Sequence, residues 1–174
     1  MPESTPTGSS RRHLALPLGI AALTSALDQV VKLVVSARFG PEAGTHRREL
    51  PGDLLAIEYA ENRGIAFGLL QGQTVLVSLA AIIVVVVSVR RYRQMRRVPA
   101  AVALSVGLIV GGAIGNLLDR VRLGYVVDFI SVSIWPNFNI ADAAITLGVL
   151  LMVWRYPHEA GQPRADPSVR AHLA

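Results

Sequence analysis

Apolar residues in this chain gather in four long blocks, separated by stretches in which polar and apolar residues mix. The blocks run from Leu14 to about Val35, from Thr74 to about Val89, from Val98 to about Leu118 and from about Asn139 to Trp154. They are blocks and not amphipathic stripes, so lipid is the expected solvent. A helix that crosses a bilayer needs ~20 mostly apolar residues. Four transmembrane helices are therefore expected, over residues 14–35, 72–89, 98–118 and 139–155. The run from Ile82 to Val87 would suit a buried strand by periodicity alone, but its length and its neighbours favour a membrane helix. The first block, flanked by Arg11, Arg12 and His13, has the look of a signal peptide. It is too long for the apolar core of one, and no clean small-x-small site ends it.

The mixed stretches read differently. Between Ala37 and Gln71, Gly40-Pro41, Gly44 and Pro51-Gly52 are turn signals. Leu55, Ile57 and Tyr59 alternate with polar or small residues, as in a short strand. Ile130, Val132 and Ile134 alternate in the same way between Asp119 and Phe138. Gly107, Gly111 and Gly115 recur every four residues, a spacing that lets a second helix approach closely. Trp154, Arg155 and Tyr156 form an interfacial anchor, and Pro157 stops the last helix. Residues 1–13 and 158–174 read as disordered cytoplasmic tails around a single membrane domain, 14–157.

Charge supplies the orientation. Charged residues make up 17% of the chain, against ~25% in an average soluble protein. The net charge of +5 sits in short arginine clusters between the blocks, a pattern of membrane flanks and not of a nucleic-acid surface. Arg90, Arg91, Arg93, Arg96 and Arg97 put the loop between the second and third blocks in the cytoplasm. Both termini then lie in the cytoplasm and both mixed stretches on the outer side.

The absence of cysteine removes disulfides, thiolate nucleophiles and Cys-metal sites. His13, His46, His158 and His172 fall in tails or a loop, which disfavours a histidine triad or a zinc site. Acidic residues instead collect at the outer ends of the spans: Asp28, Asp119, Asp128 and Asp142. Ionisable side chains are costly in lipid, roughly 2.5–3.5 kcal/mol at a helix centre on insertion scales. Two close carboxylates share a proton, and such a pair activates water against a peptide carbonyl. The plainer alternative is that each Asp caps a helix or pairs with an arginine. Two other readings stay open at this point. Lys32, the sole lysine, lies seven residues after Ser25 on one helix face, as a Ser/Lys peptidase would need. Intramembrane carboxylates also mark proton or ion paths.

Several segments together resemble the signatures of the lipoprotein signal peptidase (type II signal peptidase) family. These are Asp28-Gln-Val-Val-Lys32, the stretch from Glu61 to Gly68 with its Asn62-x-Gly64-x-Ala66-Phe67 element, and Gly111 to Arg120. Gly124 to Phe129 and Phe138-Asn139-Ile140-Ala141-Asp142 complete the set. They come in the family's order. The resemblance implies an aspartyl endopeptidase with Asp128 and Asp142 as its catalytic pair. Supporting or substrate-binding roles fall on Asn62, Gly64, Asn116, Asp119, Arg120, Asn139, Asp28 and Lys32, with Arg120 expected to pair with Asp119. It further implies an all-α integral membrane protein with four transmembrane helices and a small β-sheet cradle on the extracytoplasmic side. The cradle, with a mobile element over the site, is matched to residues 53–60 and their neighbours. The implied substrate is a diacylglyceryl-modified prolipoprotein, cut just before the lipid-bearing cysteine, in the bacterial cytoplasmic membrane. Membrane lipid is the other implied partner. No metal, organic cofactor or nucleic acid is expected, and the enzyme is expected to be a monomer.

Overall fold

The computed structural model describes residues 9–44, 47–51, 54–64, 70–95 and 98–160, with side chains described from 14 to 155. Arg96, Arg97, Gly52, Asp53, the Ile65–Gly68 part of the second motif, the four histidine side chains and most of both tails lie outside that set. The elements in chain order are α1 (Ser9–Phe39), β1 (Arg47–Glu49), β2 (Leu55–Asn62), α2 (Thr74–Gln94), α3 (Ala100–Leu123), β3 (Val126–Val132), β4 (Trp135–Phe138) and α4 (Ile140–Ala160).

Three of the helices, over Leu14–Phe39, Thr74–Gln94 and Ala100–Leu123, are long and apolar enough to cross a membrane. Their outer faces carry exposed Leu23, Val30, Val75, Ile83 and Val121, the reverse of a water-soluble surface. α3 lies in the middle, and its glycines are the reason. A Cβ on Gly107 would sit 2.7 Å from the Ile20 side chain, and one on Gly111 would sit 2.6 Å from the Ala21 carbonyl oxygen, so α1 packs backbone-close on that face. Gly112 opens the other face to α4 at the carbonyl of Ala141, and Gly148 of α4 returns the fit against Ser105 and Ile109. α2 joins through Tyr92, which is buried with Ala21, Val102, Ala103, Val106 and Val110. The last turn of α2 carries Arg91 and Arg93, favourable at the negative end of a helix.

α3 ends at Gly124, whose φ of 82° is left-handed and whose N–H bonds the Arg120 carbonyl at 3.1 Å. That stop turns the chain into β3. The four strands form one antiparallel sheet in the order β1-β2-β3-β4. β2 and β3 pair as Asn62↔Val126, Glu61↔Val127 and Ala60↔Asp128, with a register irregularity between Ile57 and Ala60.

Two sequence expectations change here. β3 begins at Val126, with Val126, Val127, Asp128 and Phe129 all buried, because both faces of the strand are covered. Ile134 is no strand residue; it sits in the β3–β4 turn and is 91% exposed. β1, all exposed and reading Arg-Arg-Glu, is an edge strand with no apolar signal to announce it.

Candidate active site

The site forms where the end of α3, the start of α4, the middle of α1 and the strands β2 and β3 meet. α4 starts with a reciprocal cap. The Asn139 side-chain oxygen accepts the Asp142 N–H at 2.9 Å, and Asp142 Oδ2 accepts the Asn139 N–H at 3.2 Å. A third free amide of that first turn, Ala141 N–H, is taken by Asp28 Oδ1 of α1 at 2.9 Å. The cap sets the direction of the Asn139 amide. Its oxygen is occupied, so its Nδ2 faces away and donates to Asp128 Oδ1 at 2.7 Å. One asparagine thereby bridges Asp128 and Asp142, which come from a strand and a helix.

Two further amides are locked in the same manner. Asn62 accepts the Gly64 N–H at 3.0 Å and so directs its Nδ2 to Asp128 Oδ2 at 2.9 Å. Asn116 accepts from Lys32 Nζ at 2.9 Å and directs its Nδ2 to Asp142 Oδ1 at 2.7 Å. Each carboxylate therefore has donors on both oxygens. Asp128 is 2% exposed. Burial, and next the charge of Asp142, push its carboxyl up to about 7, against the opposing pull of the Asn62 and Asn139 amides.

Lys32 and Asp28 are not on the cavity wall. Lys32 Nζ is held by Asp28 at 2.8 Å and by Asp119 at 2.9 Å, all three side chains being buried. With Asn116 as third acceptor, the three ammonium protons are fully used. Lys32 is thus a fixed charge and not the free amine that a Ser/Lys peptidase needs. The carboxylates also gather at one end of the helices instead of along their length, which leaves no string of sites for an ion path. Asp119 bonds Gln29 at 2.8 Å and the Val127 N–H at 3.1 Å, so it ties α3 to α1 and to β3. Arg120 does not pair with Asp119. Neighbours in a helix point in different directions; Arg120 turns to the Gly64 carbonyl at 3.2 Å and back to the Asn116 carbonyl at 3.5 Å. Among the described residues no three His, Asp or Glu side chains are grouped to hold a metal.

A cavity of about 630 Å³ opens on this cluster, within the usual size for small-ligand sites. Asn62, Gly64, Asn116, Arg120 and Asp142 supply its polar wall. Val126, Trp135, Phe138, Ile145 and Leu147 supply an apolar one. Gln29, Trp135, Asn137 and Phe138 were given no role from the sequence. Gln29 and Phe138 had a signal available, since they stand in the first and last motifs; Trp135 and Asn137 carry none beyond a short aromatic strand.

A polar cluster with two bridged carboxylates, set at the end of apolar helices beside an apolar cavity, has the make-up of a hydrolytic membrane enzyme. The fold is similar to two solved bacterial membrane enzymes. One matches with a TM-score of 0.74 and 27% identity, covering 95% of this chain and 98% of the other. The second matches with a TM-score of 0.66 and 30% identity, covering 88% and 95%. Residues 20–157 match the family model described as signal peptidase II. The lipoprotein signal peptidase of Moorella thermoacetica is 37% identical over 150 residues, 85% of this chain and 97% of that protein. That of Syntrophomonas wolfei is 41% identical over 135 residues, 78% and 88%. The chain belongs to the signal peptidase II family, the peptidases that remove signal peptides from prolipoproteins.

Proposed function

We propose that Asp128 and Asp142 are the catalytic pair with which this peptidase cleaves diacylglyceryl-modified prolipoproteins just before the lipid-bearing cysteine. The observation that carries the reading is the bridge through Asn139: two carboxylates from separate elements, each with its donors locked, of which Asp142 lines a cavity of mixed polar and apolar residues. One carboxylate is ionised and takes a proton from water as the oxygen adds to the scissile carbonyl carbon. The other gives its proton to the carbonyl oxygen. The tetrahedral intermediate then collapses: the C–N bond breaks, the nitrogen receives a proton from the carboxyl that took one from water, and one hydroxyl of the intermediate returns its proton to the other carboxylate as the new C=O forms. The products are the signal peptide, with a new carboxyl terminus, and a lipoprotein with a new amino-terminal cysteine.

Arg120 and the Asn62–Gly64 turn line the polar wall and hold the substrate backbone there. Asn116, Asn139, Asp119, Asp28 and Lys32 hold the pair in place. The acyl chains of the substrate lie along the apolar wall and the lipid-facing helix surfaces, so that only the peptide reaches the carboxylates. α4 crosses the bilayer as a fourth span. With the arginines of α2 in the cytoplasm, both termini are cytoplasmic, and the sheet and the site face outward. The distribution of charge supports this, since α2 ends in arginines, whereas the carboxylates Asp28, Asp119, Asp128 and Asp142 cluster with the other end of α3. The working unit in this reading is a monomer.

The test is turnover of a diacylglyceryl-cysteine peptide by purified full-length enzyme in detergent, comparing wild type with Asp128→Asn and Asp142→Asn. Both variants should lose turnover while keeping the wild-type melting behaviour or better. Residual cleavage near the wild-type rate in either one removes the pair from the mechanism.

A further inference from the structure

We infer that Lys32, acting through the Asn116 amide, divides the labour between the two carboxylates: it makes Asp142 the ionised member that takes the proton from water and leaves Asp128 to carry the shared proton. The inference rests on the reading of Asp128 and Asp142 as the catalytic pair. It makes Lys32 a positioning residue, since it touches neither.

The geometry argues it in steps. An ammonium group has three protons and no lone pair. Two protons of Lys32 go to Asp28 and Asp119, so only the third points at Asn116. An amide facing an ammonium must present its oxygen. The Asn116 NH2 is thereby forced onto Asp142 Oδ1, at 2.7 Å. Reversing the amide would set N–H against N–H⁺ on one side and oxygen against carboxylate on the other. The Asn116 oxygen also accepts the Asn139 Nδ2 at 3.2 Å, so the donor on Asp142 is fixed by the Lys32 charge buried in α1 together with that second, weaker bond.

The two carboxylates are not equivalent. Asp142 also accepts the Asn139 N–H and sits in the first turn of α4, where a negative charge is favoured. It borders the cavity, where water and substrate enter. Asp128 lies on a strand, away from any helix start, and is nearly fully buried with only two side-chain amides on it. The charged groups around this point are few. α1 gives Asp28 and Lys32, and α3 gives Asp119, Arg120 and, through Gln29, Arg122. β3 gives Asp128 and α4 gives Asp142. Glu61 and Arg63 of the β2 end pair with each other and are largely exposed. Lys32 is already matched by two carboxylates and touches neither member of the pair; its charge is felt by both, and its bonded link, the Asn116 amide, reaches Asp142 alone.

The experiment follows kcat and KM for the diacylglyceryl-cysteine peptide from pH 5 to 9, with full-length enzyme in detergent. Wild type is compared with Asn116→Ala, Lys32→Met and the double variant. Loss of the Asn116 donor should move the acid limb of the kcat profile up by about one pH unit, the size expected for one charge-assisted hydrogen bond. KM should stay within about twofold. Lys32→Met should move the limb the same way, and the double variant no further than either alone. An unmoved acid limb in folded Asn116→Ala overturns the inference, as does an additive double variant, or a rise in KM that marks substrate contact. Should Lys32→Met fail to fold, Asn116→Asp takes its place: its second oxygen faces Asp142 without a fixed donor, and it should shift the limb at least as far as Asn116→Ala. An unshifted limb in that variant overturns the inference as well. Asp142→Asn, run alongside, separates the two claims. Turnover there removes the catalytic pair itself; a dead Asp142→Asn with an unmoved limb in Asn116→Ala removes only the relay.

Discussion

α2 and α3 are almost equally apolar, yet only 6% of the most apolar stretch of α2 is buried against 67% for α3. Hydropathy reports that a helix leaves water. It does not report whether protein or lipid receives it. What separates the two helices is the pattern of small and polar residues. α3 carries Gly107, Gly111, Gly112 and Gly115 against two neighbours, and it ends in Asn116, Asp119 and Arg120. α2 carries a β-branched surface and arginines at its end. One helix is a scaffold for chemistry, and the other is chiefly a wall against lipid.

That contrast is open to direct attack, and the largest effect belongs at the polar end that α3 supports. Asp128→Asn should lower kcat by about 10²–10⁴-fold, the range for losing a proton-transferring group. The same variant should melt higher than wild type. The fold keeps the Asp128 proton up to about pH 7, whereas an unfolded chain releases it near 3.8. The folded state thus binds more protons between these values, and stability falls as pH rises through them. The gain in melting temperature of Asp128→Asn should accordingly be greater at pH 8 than at pH 4, by differential scanning fluorimetry. An equal gain at both would mean that Asp128 is not held protonated.

Next in size is Gly112→Leu. The added side chain meets the Ala141 carbonyl and Ile145, so it displaces the start of α4 and with it the Asn139 bridge. Activity should fall more than about tenfold and the melting temperature should drop, as in an overpacked core. A smaller effect is set by the Asp128 proton: turnover should decline above about pH 7, once both members of the pair are ionised. The smallest belongs to the wall. Ala80→Leu on the exposed face of α2 adds the same bulk as a packing lesion would, and it should leave turnover and melting nearly unchanged. A large loss there would show that α2 has a protein partner.

Much of this could be read from the sequence, for identifiable reasons. Apolar blocks mark helices because lipid demands them, and glycines every four residues mark close backbone contact. The capping role weighed for Asp142 and the bridging role are the same geometry, so those alternatives were never in conflict. Tertiary pairing stayed hidden. Arg120 next to Asp119 suggests an ion pair, but helix geometry sends the two apart, and only the fold brings Lys32 eighty-odd positions back to meet Asp119. The alternation of Ile130 and Val132 marked the end of β3, but its first half, Val126–Phe129, escaped that rule because it is covered on both sides, and β1 escaped it because its three residues are all solvated. The place of Trp135 in the cavity lining is made by sheet order, which no local pattern encodes.

The reciprocal cap that begins α4 has a consequence for the cell. A protease loose in the membrane during its own synthesis is a hazard. On the proposed mechanism, the acid on α4 gains its bonds to Asn139 and Asn116 only once the first turn of that helix has formed and docked on α3, so a chain with α4 undocked would hold one half of the pair and no cutting power.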